Sequence, residues 1–286
     1  VDLTSPVATA TKDRLVRRFG PAVGRWWQQV PATLTALAAR WALALGEPVG
    51  TGNTSLVLRC VRADGTAAIL KLTPEPAIAD AEARALRAWQ PSGRVPGLWG
   101  HDARAGAVLL EAVPGEATLA GLGANPGLDA VAELIRALHA VPPIDVPPQP
   151  ERVDLLFRLW LRRHAADTAL VALLERGHAL ARALAADPVP PVLLHGDLHP
   201  GNVLDGGPER GLVAIDPRPC LGDPASDAID WVFTGPASAW RERARDLAAR
   251  LDADPGRLWR WCTAFAAAAA LGADGERARA LLAIAA

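Results

Sequence analysis

Methionine and tyrosine are absent from this 286-residue chain, and its three cysteines, Cys60, Cys220 and Cys262, lie far apart. No CxxC pair accompanies them, which argues against a disulfide framework and against a structural zinc site. Charge of one sign is also lacking. The formal net charge is −1, so no broad electrostatic grip on nucleic acid is expected, and with half of the residues hydrophobic disorder is not expected either. The longest apolar runs, such as FAAAAALGA at 265–273, are too short to span a bilayer, and Lys12 and Arg14 precede no signal-peptide core. What remains is a compact protein expected in the cytoplasm, with neither nucleic acid nor membrane as partner. Lysine is scarce as well: of 30 basic residues only Lys12 and Lys71 are lysine. Against so strong an arginine bias, a lysine that persists carries information about its position.

The apolar pattern changes period along the chain. Residues 11–45 carry mixed three- and four-residue spacing, which predicts helix broken near Gly20-Pro21. SLVLRCVRADGTAAILKLT at 55–73 then reads as two strands around an Asp64-Gly65 hairpin. A short helix is expected over PEPAIADAEARALRAW at 74–89, and strand, turn, strand over GLWGHDARAGAVLLEAV at 97–113. Beyond VPGE at 113–116 the reading is mostly helical, through LDAVAELIRALHAV and a long segment from Arg152 to Ala186. Short strands interrupt it only at PVLL, NVLD and GLVAID. The expected class is α+β, a small β-rich lobe over 1–113 joined to a larger helical lobe over 114–286.

LLHGDLHPGNVLDGG at 193–207 gathers acids, an amide and loose glycines directly after apolar residues. Asp197 is followed five residues later by Asn202, and nineteen residues after Asp197 another acid, Asp216, ends LVAID. This order suits phosphoryl transfer, in which one Asp meets the acceptor hydroxyl while an Asn and a second Asp hold Mg²⁺. Two oxygen donors at strand ends fit a hard cation that keeps several waters. Any one of these residues alone would be turn chemistry; their joint order and spacing carry the inference. His195 and His199 flank Asp197, but no third ligand at zinc spacing follows.

HGDLHPGN followed by AIDP resembles the aminoglycoside phosphotransferases, relatives of the choline kinases and, more distantly, of the eukaryotic protein kinases. The longer stretch AIDPRPCLGDPASDAIDW at 214–231 is similar to the aminoglycoside 6-phosphotransferase and hydroxyurea phosphotransferase branch, whose best-known activity is streptomycin 6-phosphorylation. The resemblance covers roughly residues 40–270 and is specific over 193–231.

The resemblance implies a bilobal protein-kinase-like fold with ATP in the cleft, 1–113 being the nucleotide-binding lobe and 114–286 the catalytic and substrate-binding lobe. It implies Asp197 as the catalytic residue, Asn202 and Asp216 as Mg²⁺ ligands, and Lys71 as the lysine that pairs with phosphate. Glu82 is the expected partner of Lys71, with Glu75 as the other candidate, and an edge-strand role for the lysine stays open. Gly50 and Gly52 would let backbone N–H groups approach phosphate, and which of Asn53, Thr54 and Ser55 joins them stays open. The carbonyl of Glu111 and the N–H of Val113 are the implied adenine contacts, between aliphatic walls because no tyrosine is available. His195 would brace the loop, and His199 either lines the acceptor pocket or packs.

GDPASDAIDW at 222–231 spaces Asp223, Asp227 and Asp230 so that an α-helix would bring them to one side. Asp223 before Pro224 suits a helix N-cap, and by resemblance Asp227 braces the catalytic loop. Asp223 and Asp230 are expected to form an acidic rim for the acceptor, since a guanidinium pairs well with carboxylates and streptomycin carries two. The expected activity is an ATP- and Mg²⁺-dependent O-phosphotransferase acting on an aminoglycoside. A metabolic kinase for an amino-sugar or hydroxyurea-type acceptor, and a regulatory pseudokinase that only binds nucleotide, are the competing readings.

Overall fold

The structure is a computed structural model and describes residues 1–50, 54–115 and 117–286. The chain divides into two compact units, Val1–Glu116 and Ala117–Ala286.

The first unit opens with helices α1 (Pro6–Phe19) and α2 (Val23–Trp41). They part at Gly20, whose φ of 85° suits a residue without a Cβ. Strands β1 (Leu43–Val49), β2 (Leu56–Arg62) and β3 (Ala67–Leu72) follow, then α3 (Pro76–Trp89), β4 (Leu98–Asp102) and β5 (Ala107–Glu111). The five strands form one antiparallel sheet in the order β1-β2-β3-β5-β4. Helix had been expected through residue 45. Instead α2 ends at Trp41, Ala42 turns into the left-handed region, and Leu43 begins a strand paired with Arg62. A hydrophobic LALGEPV has no helix-specific spacing, and pairing with β2 decides its state.

Side-chain alternation sorts the sheet into two faces. Leu56, Leu58, Leu70, Leu72 and Leu109 point into a core closed by Leu15 of α1 and by Val23, Trp27, Val30, Leu34 and Leu37 of α2, which recur at three- and four-residue spacing. Val57, Lys71 and Val108, directly opposite one another in register, occupy the other face. There α3 presents the buried Glu82, Ala83 and Leu86.

The second unit contains α4 (Leu128–His139), α5 (Gln149–Arg163), α6 (Thr168–Ala186), β6 (Val192–Leu194), β7 (Val203–Asp205), the single turn α7 (Gly207–Arg210), β8 (Leu212–Ala214) and β9 (Cys220–Gly222). After these come α8 (Ile229–Val232), α9 (Trp240–Arg250), α10 (Pro255–Ala270) and α11 (Gly275–Ala285). The helical run expected from Arg152 to Ala186 is broken at 164–167, where Asp167 caps α6 by accepting from the Leu170 N–H at 3.0 Å. Two small hairpin-like sheets, β6-β9 and β7-β8, frame the HGDLHPGN loop; β9 had not been foreseen. Among the described residues no helix is long and apolar enough to cross a membrane.

Helices α5, α6 and α10 pack around Phe157, Trp160, Trp261 and Phe265, with edge-on ring contacts such as the 5.4 Å Phe157–Phe265 centroid pair. Alanines on α10 let α6 come close, and Gly177 sets the limit: a Cβ there would lie 2.3 Å from the Ala264 carbonyl oxygen. Backbone cannot yield as a side chain can, so Gly177→Ala must push the helices apart. We expect it to cost about 1–3 kcal/mol, the range for overpacked cores, read as a lower urea midpoint with an unchanged m-value. A midpoint equal to wild type would show that the crossing is looser than drawn.

Candidate active site

Chemistry-bearing side chains occur in both units. In the first, Lys71 on β3 and Glu82 on α3 form an ion pair, Nζ to Oε1 at 2.5 Å, with side chains only 6% and 2% exposed. Glu75, the other candidate partner, sits exposed at the start of α3. The edge-strand role left open for Lys71 does not hold, because β3 is an interior strand flanked by β2 and β5. Removing one member of such a buried pair costs about 3–5 kcal/mol, since it strands the other charge.

Gly50 follows β1, and its carbonyl accepts from the Arg14 guanidinium of α1 at 2.8 Å. Thr54 and Ser55, just before β2, are buried, while Gly52 and Asn53 lie outside the described residues. Glu111 ends β5 and turns its carboxylate back to the Gly97 N–H at 2.9 Å; Val113 beyond it is buried.

In the second unit the HGDLHPGN loop is held at successive peptides. Asp227 accepts from the His195 N–H (2.8 Å) and from the Gly196 N–H (2.9 Å), and its Oδ2 also meets the His139 ring at 3.0 Å. The His195 carbonyl accepts from the Arg218 N–H and the Gly196 carbonyl from Arg152 Nε, both at 2.8 Å. His195 itself is fully buried and donates from Nε2 to the Ile215 carbonyl at 3.0 Å. Burial pushes its imidazole down to about 4 against the pull of Asp227 and Asp197, so it is neutral and structural. Burial also pushes the Asp227 carboxyl up, but the hydrogen bond and charge of His139, together with His195 and the Gly196 N–H, outweigh it and hold the group below its ordinary range.

This scaffold leaves Asp197 partly exposed, 42% of its side chain reaching solvent. Asn202 donates from Nδ2 to the Asp197 carbonyl at 2.9 Å and to Asp197 Oδ2 at 3.2 Å. The β7-β8 pairing, extended by the Ile215 N–H to Asn202 carbonyl bond at 2.9 Å, puts Asn202 and Asp216 at neighbouring strand ends. Asp216 has a φ of 57°, an uncommon conformation for a residue other than glycine and one that collects at functional sites. An amide oxygen and a carboxylate are hard donors of the kind Mg²⁺ takes while keeping most of its waters. The chemistry of this donor pair fits that ion.

Beside Asp197 lies a cavity of about 220 Å³. Asp197, His199 and Asp230 line it together with Arg152, Trp160 and Phe265. Enclosure by its walls raises the Asp230 carboxyl from the ordinary range and the charge of Asp197 adds to this, while His199 and Arg277 oppose it. The carboxylate nevertheless touches solvent, so the push is smaller than a dry interior would give. His199 accepts at Nδ1 from the Gly201 N–H at 3.0 Å.

Asp223 requires a correction. It is buried and away from this cavity: one oxygen caps the following turn through the Ala225 N–H at 3.0 Å, and the other receives Arg257 Nε at 2.6 Å and the Trp261 indole N–H. Asp223 parts from Asp227 and Asp230, which both line the cavity, because residues 224–228 form a 3₁₀ turn before α8 and the α-helical period does not apply. The sequence reading also missed Arg152, one arginine among many, and the contact of His139 with Asp227. Trp160 of α5 lines the cavity as well.

A family model described as aminoglycoside/hydroxyurea antibiotic resistance kinase matches residues 40–276. Hydroxyurea phosphotransferase of Kitasatospora aureofaciens is 35% identical over 85% of this chain and 73% of its own length. Streptomycin 6-kinase of Streptomyces griseus is 35% identical over 86% of this chain and 84% of its own length. Among solved structures, choline kinase LicA from Streptococcus pneumoniae superposes with a TM-score of 0.64 at 13% identity, over 90% of this chain and 99% of that one. It shows the kinase-like fold.

Asp227→Asn replaces an acceptor of three hydrogen bonds with an amide that can satisfy only part of them. We expect a loss of about 3–5 kcal/mol at pH 7. The folded carboxyl is held below its unfolded value, so its stabilisation is present above about pH 4 and is lost as pH falls through the folded value. Urea titrations should therefore show the gap between wild type and variant closing as the acid limb is descended. A gap that stays constant from pH 7 to pH 3 would remove Asp227's charge from the account.

Proposed function

The chain belongs to the aminoglycoside/hydroxyurea antibiotic resistance kinase family, and on that premise we propose that it transfers the γ-phosphoryl group of ATP to a hydroxyl of a cationic antibiotic, with the 6-hydroxyl of streptomycin as acceptor. The observation that carries the transfer is the placement of Asp197, tethered by Asn202 and exposed to the cavity, beside Asp216 on the paired strand end. Asp197 takes the acceptor proton as the hydroxyl oxygen attacks phosphorus; the bond from phosphorus to the β,γ-bridging oxygen breaks and ADP departs. Asn202 keeps the carboxylate turned. When bound, Mg²⁺ supplies positive charge against the phosphates, and Asn202 and Asp216 are the residues to hold it. Lys71, steadied by Glu82, contributes a compact ammonium suited to a point contact with phosphate, while Gly50, Gly52, Asn53, Thr54 and Ser55 are the further candidates to meet phosphate. The carbonyl of Glu111 and the N–H of Val113 take the adenine edge. A protein that draws on ATP in this way works in the cytoplasm.

The cavity speaks to the acceptor. Three aspartates, Asp197, Asp227 and Asp230, line it with the Trp160 and Phe265 rings; Asp227 is taken up by the loop amides, and the other two acids beside aromatic faces suit a guanidinium. His199 adds a ring at the mouth. The relative named hydroxyurea phosphotransferase supports a second reading, a hydroxyurea-type acceptor. A pseudokinase role is disfavoured by the presence of Lys71, Asp197, Asn202 and Asp216 together.

ADP release with ATP and Mg²⁺ across streptomycin, other aminoglycosides and hydroxyurea, followed by phosphorus NMR of the product, tests the reading. Streptomycin 6-phosphate is the expected product; turnover of hydroxyurea alone would transfer the assignment to the second acceptor. Asp197→Asn should keep nucleotide affinity and lose about 10²–10⁴-fold in kcat. Wild-type turnover in that variant would take the proton from another group.

The raised Asp230 carboxyl gives a pH signature. A cation is held by the ionised form, so KM for streptomycin should rise as pH falls from 7.5 toward 5.5. Asp230→Asn should show a high KM throughout, with KM for ATP unchanged. A variant whose KM follows wild type at every pH would place the guanidinium elsewhere.

A further inference from the structure

We propose that Arg152 is a positioning residue for the catalytic carboxylate, acting through the hydrogen bond from its Nε to the Gly196 carbonyl; this rests on the reading of Asp197 as the proton acceptor.

The placement of Arg152 begins at the first turn of α5. Gln149 is buried there, donates to Ser226 Oγ at 2.7 Å and accepts from the Asp223 N–H at 2.9 Å. The Pro147 carbonyl accepts from the Leu221 N–H of β9 at 3.0 Å. These contacts fix the rotation of α5 about its axis. Val153 and Phe157 join Gln149 in the interior, and Arg152, Leu156 and Trp160, at four-residue spacing, line the cavity. The guanidinium, 14% exposed, therefore reaches the loop from a rigid element.

Its contacts bracket the residue before Asp197. Nε donates to the Gly196 carbonyl at 2.8 Å, and Nη2 stands 3.8 Å from Asp197 Oδ1. On the other side, Asn202 holds Asp197 Oδ2. The sequence accommodates this seat at Gly196: φ is +72°, and a Cβ would lie 3.1 Å from Arg152 Nε and 2.2 Å from the Arg218 carbonyl oxygen. With the Gly196 N–H on Asp227 and its carbonyl on Arg152, both hydrogen-bonding groups of this residue are fixed, so the peptide joining it to Asp197 cannot rotate freely. Without the arginine that carbonyl can swing, and the carboxylate swings with it. Misplacement of a reacting group by about 1 Å costs on the order of 10²-fold in rate.

Two substitutions isolate the bond. Glutamine carries its amide nitrogen at the same number of bonds from Cα as the arginine Nε, so Arg152→Gln can keep the donor while discarding the charge. Arg152→Leu discards both. We expect kcat of Arg152→Leu to fall about 10–100-fold, with KM for ATP and for the acceptor each within threefold of wild type, and Arg152→Gln to recover to within fivefold of wild-type kcat. Should the leucine variant fail to fold, Arg152→Met, with its unbranched stem, takes its place. Three results overturn the proposal: wild-type kcat in the leucine variant, equal impairment of leucine and glutamine variants, or an effect confined to acceptor KM, which would make Arg152 a substrate contact. Asp197→Asn, assayed alongside, separates the failures, because normal turnover there sinks the reading of Asp197 itself.

Discussion

Asp227 accepts hydrogen bonds from two consecutive backbone amides and faces an imidazole, and the geometry of the catalytic loop follows from that carboxylate more than from the loop's own residues. A loop of glycines, prolines and polar residues has little apolar area to bury and would sample many conformations if left alone. A buried anion that accepts three hydrogen bonds selects one. The requirement is reciprocal: an ionised carboxylate can remain buried only if such donors converge on it, so loop and acid stabilise each other. His195, neutral and buried, then ties the loop to Ile215, and so to the strand end from which Asp216 projects.

The three acids of GDPASDAIDW show that what a side chain faces decides what it does. Asp223 turns to Arg257 and Trp261 and becomes part of the packing between α10 and the turn before α8. Asp227 turns to backbone amides and shapes the loop. Asp230 turns to the cavity, where walls on several sides raise its proton affinity without closing it off from water. Of the three, it is the exposed one. Spacing alone predicted a common face, but a 3₁₀ turn distributes residues at about three per turn, and the expected rim is reduced to one carboxylate and its neighbour Asp197.

Legibility in the sequence depended on whether a residue's environment was local. The 64–65 turn, the strands around it and α3 were readable because turn chemistry and period are short-range signals. Lys71 stood out because the chain uses arginine almost everywhere else, and Glu82 because it shares the buried face of α3 with Leu86 and Trp89. Residues 43–45 were misread as helix because the state of β1 depends on pairing with β2, and β9 was missed because Cys220–Gly222 becomes a strand by pairing with β6, distant in sequence. Arg152 was invisible for the converse of the reason that exposed Lys71: in a chain with 30 basic residues, nearly all arginine, a functional arginine has no contrast. Only the tilt of α5, set by Gln149 and β9, distinguishes it from Arg158 or Arg162 on the same helix.

Both units prepare charge in the same manner. Lys71 is neutralised by Glu82 inside the first unit, and Asp227 by its donors inside the second, before any substrate is present. Burying these groups costs several kcal/mol each if they are unpaired, and pairing them within one unit offsets that cost during folding. Charges held in this way need little rearrangement when charge changes nearby, which is the condition under which fixed polar groups are worth more than water. Asp197, by contrast, keeps 42% of its side chain open to solvent and has one oxygen tethered by Asn202. A carboxylate meant to gain a proton cannot have all its acceptor positions filled in advance. Asp223 and Asp227 each accept three hydrogen bonds inside the protein, and that difference separates them from the more open Asp197 without reference to any relative.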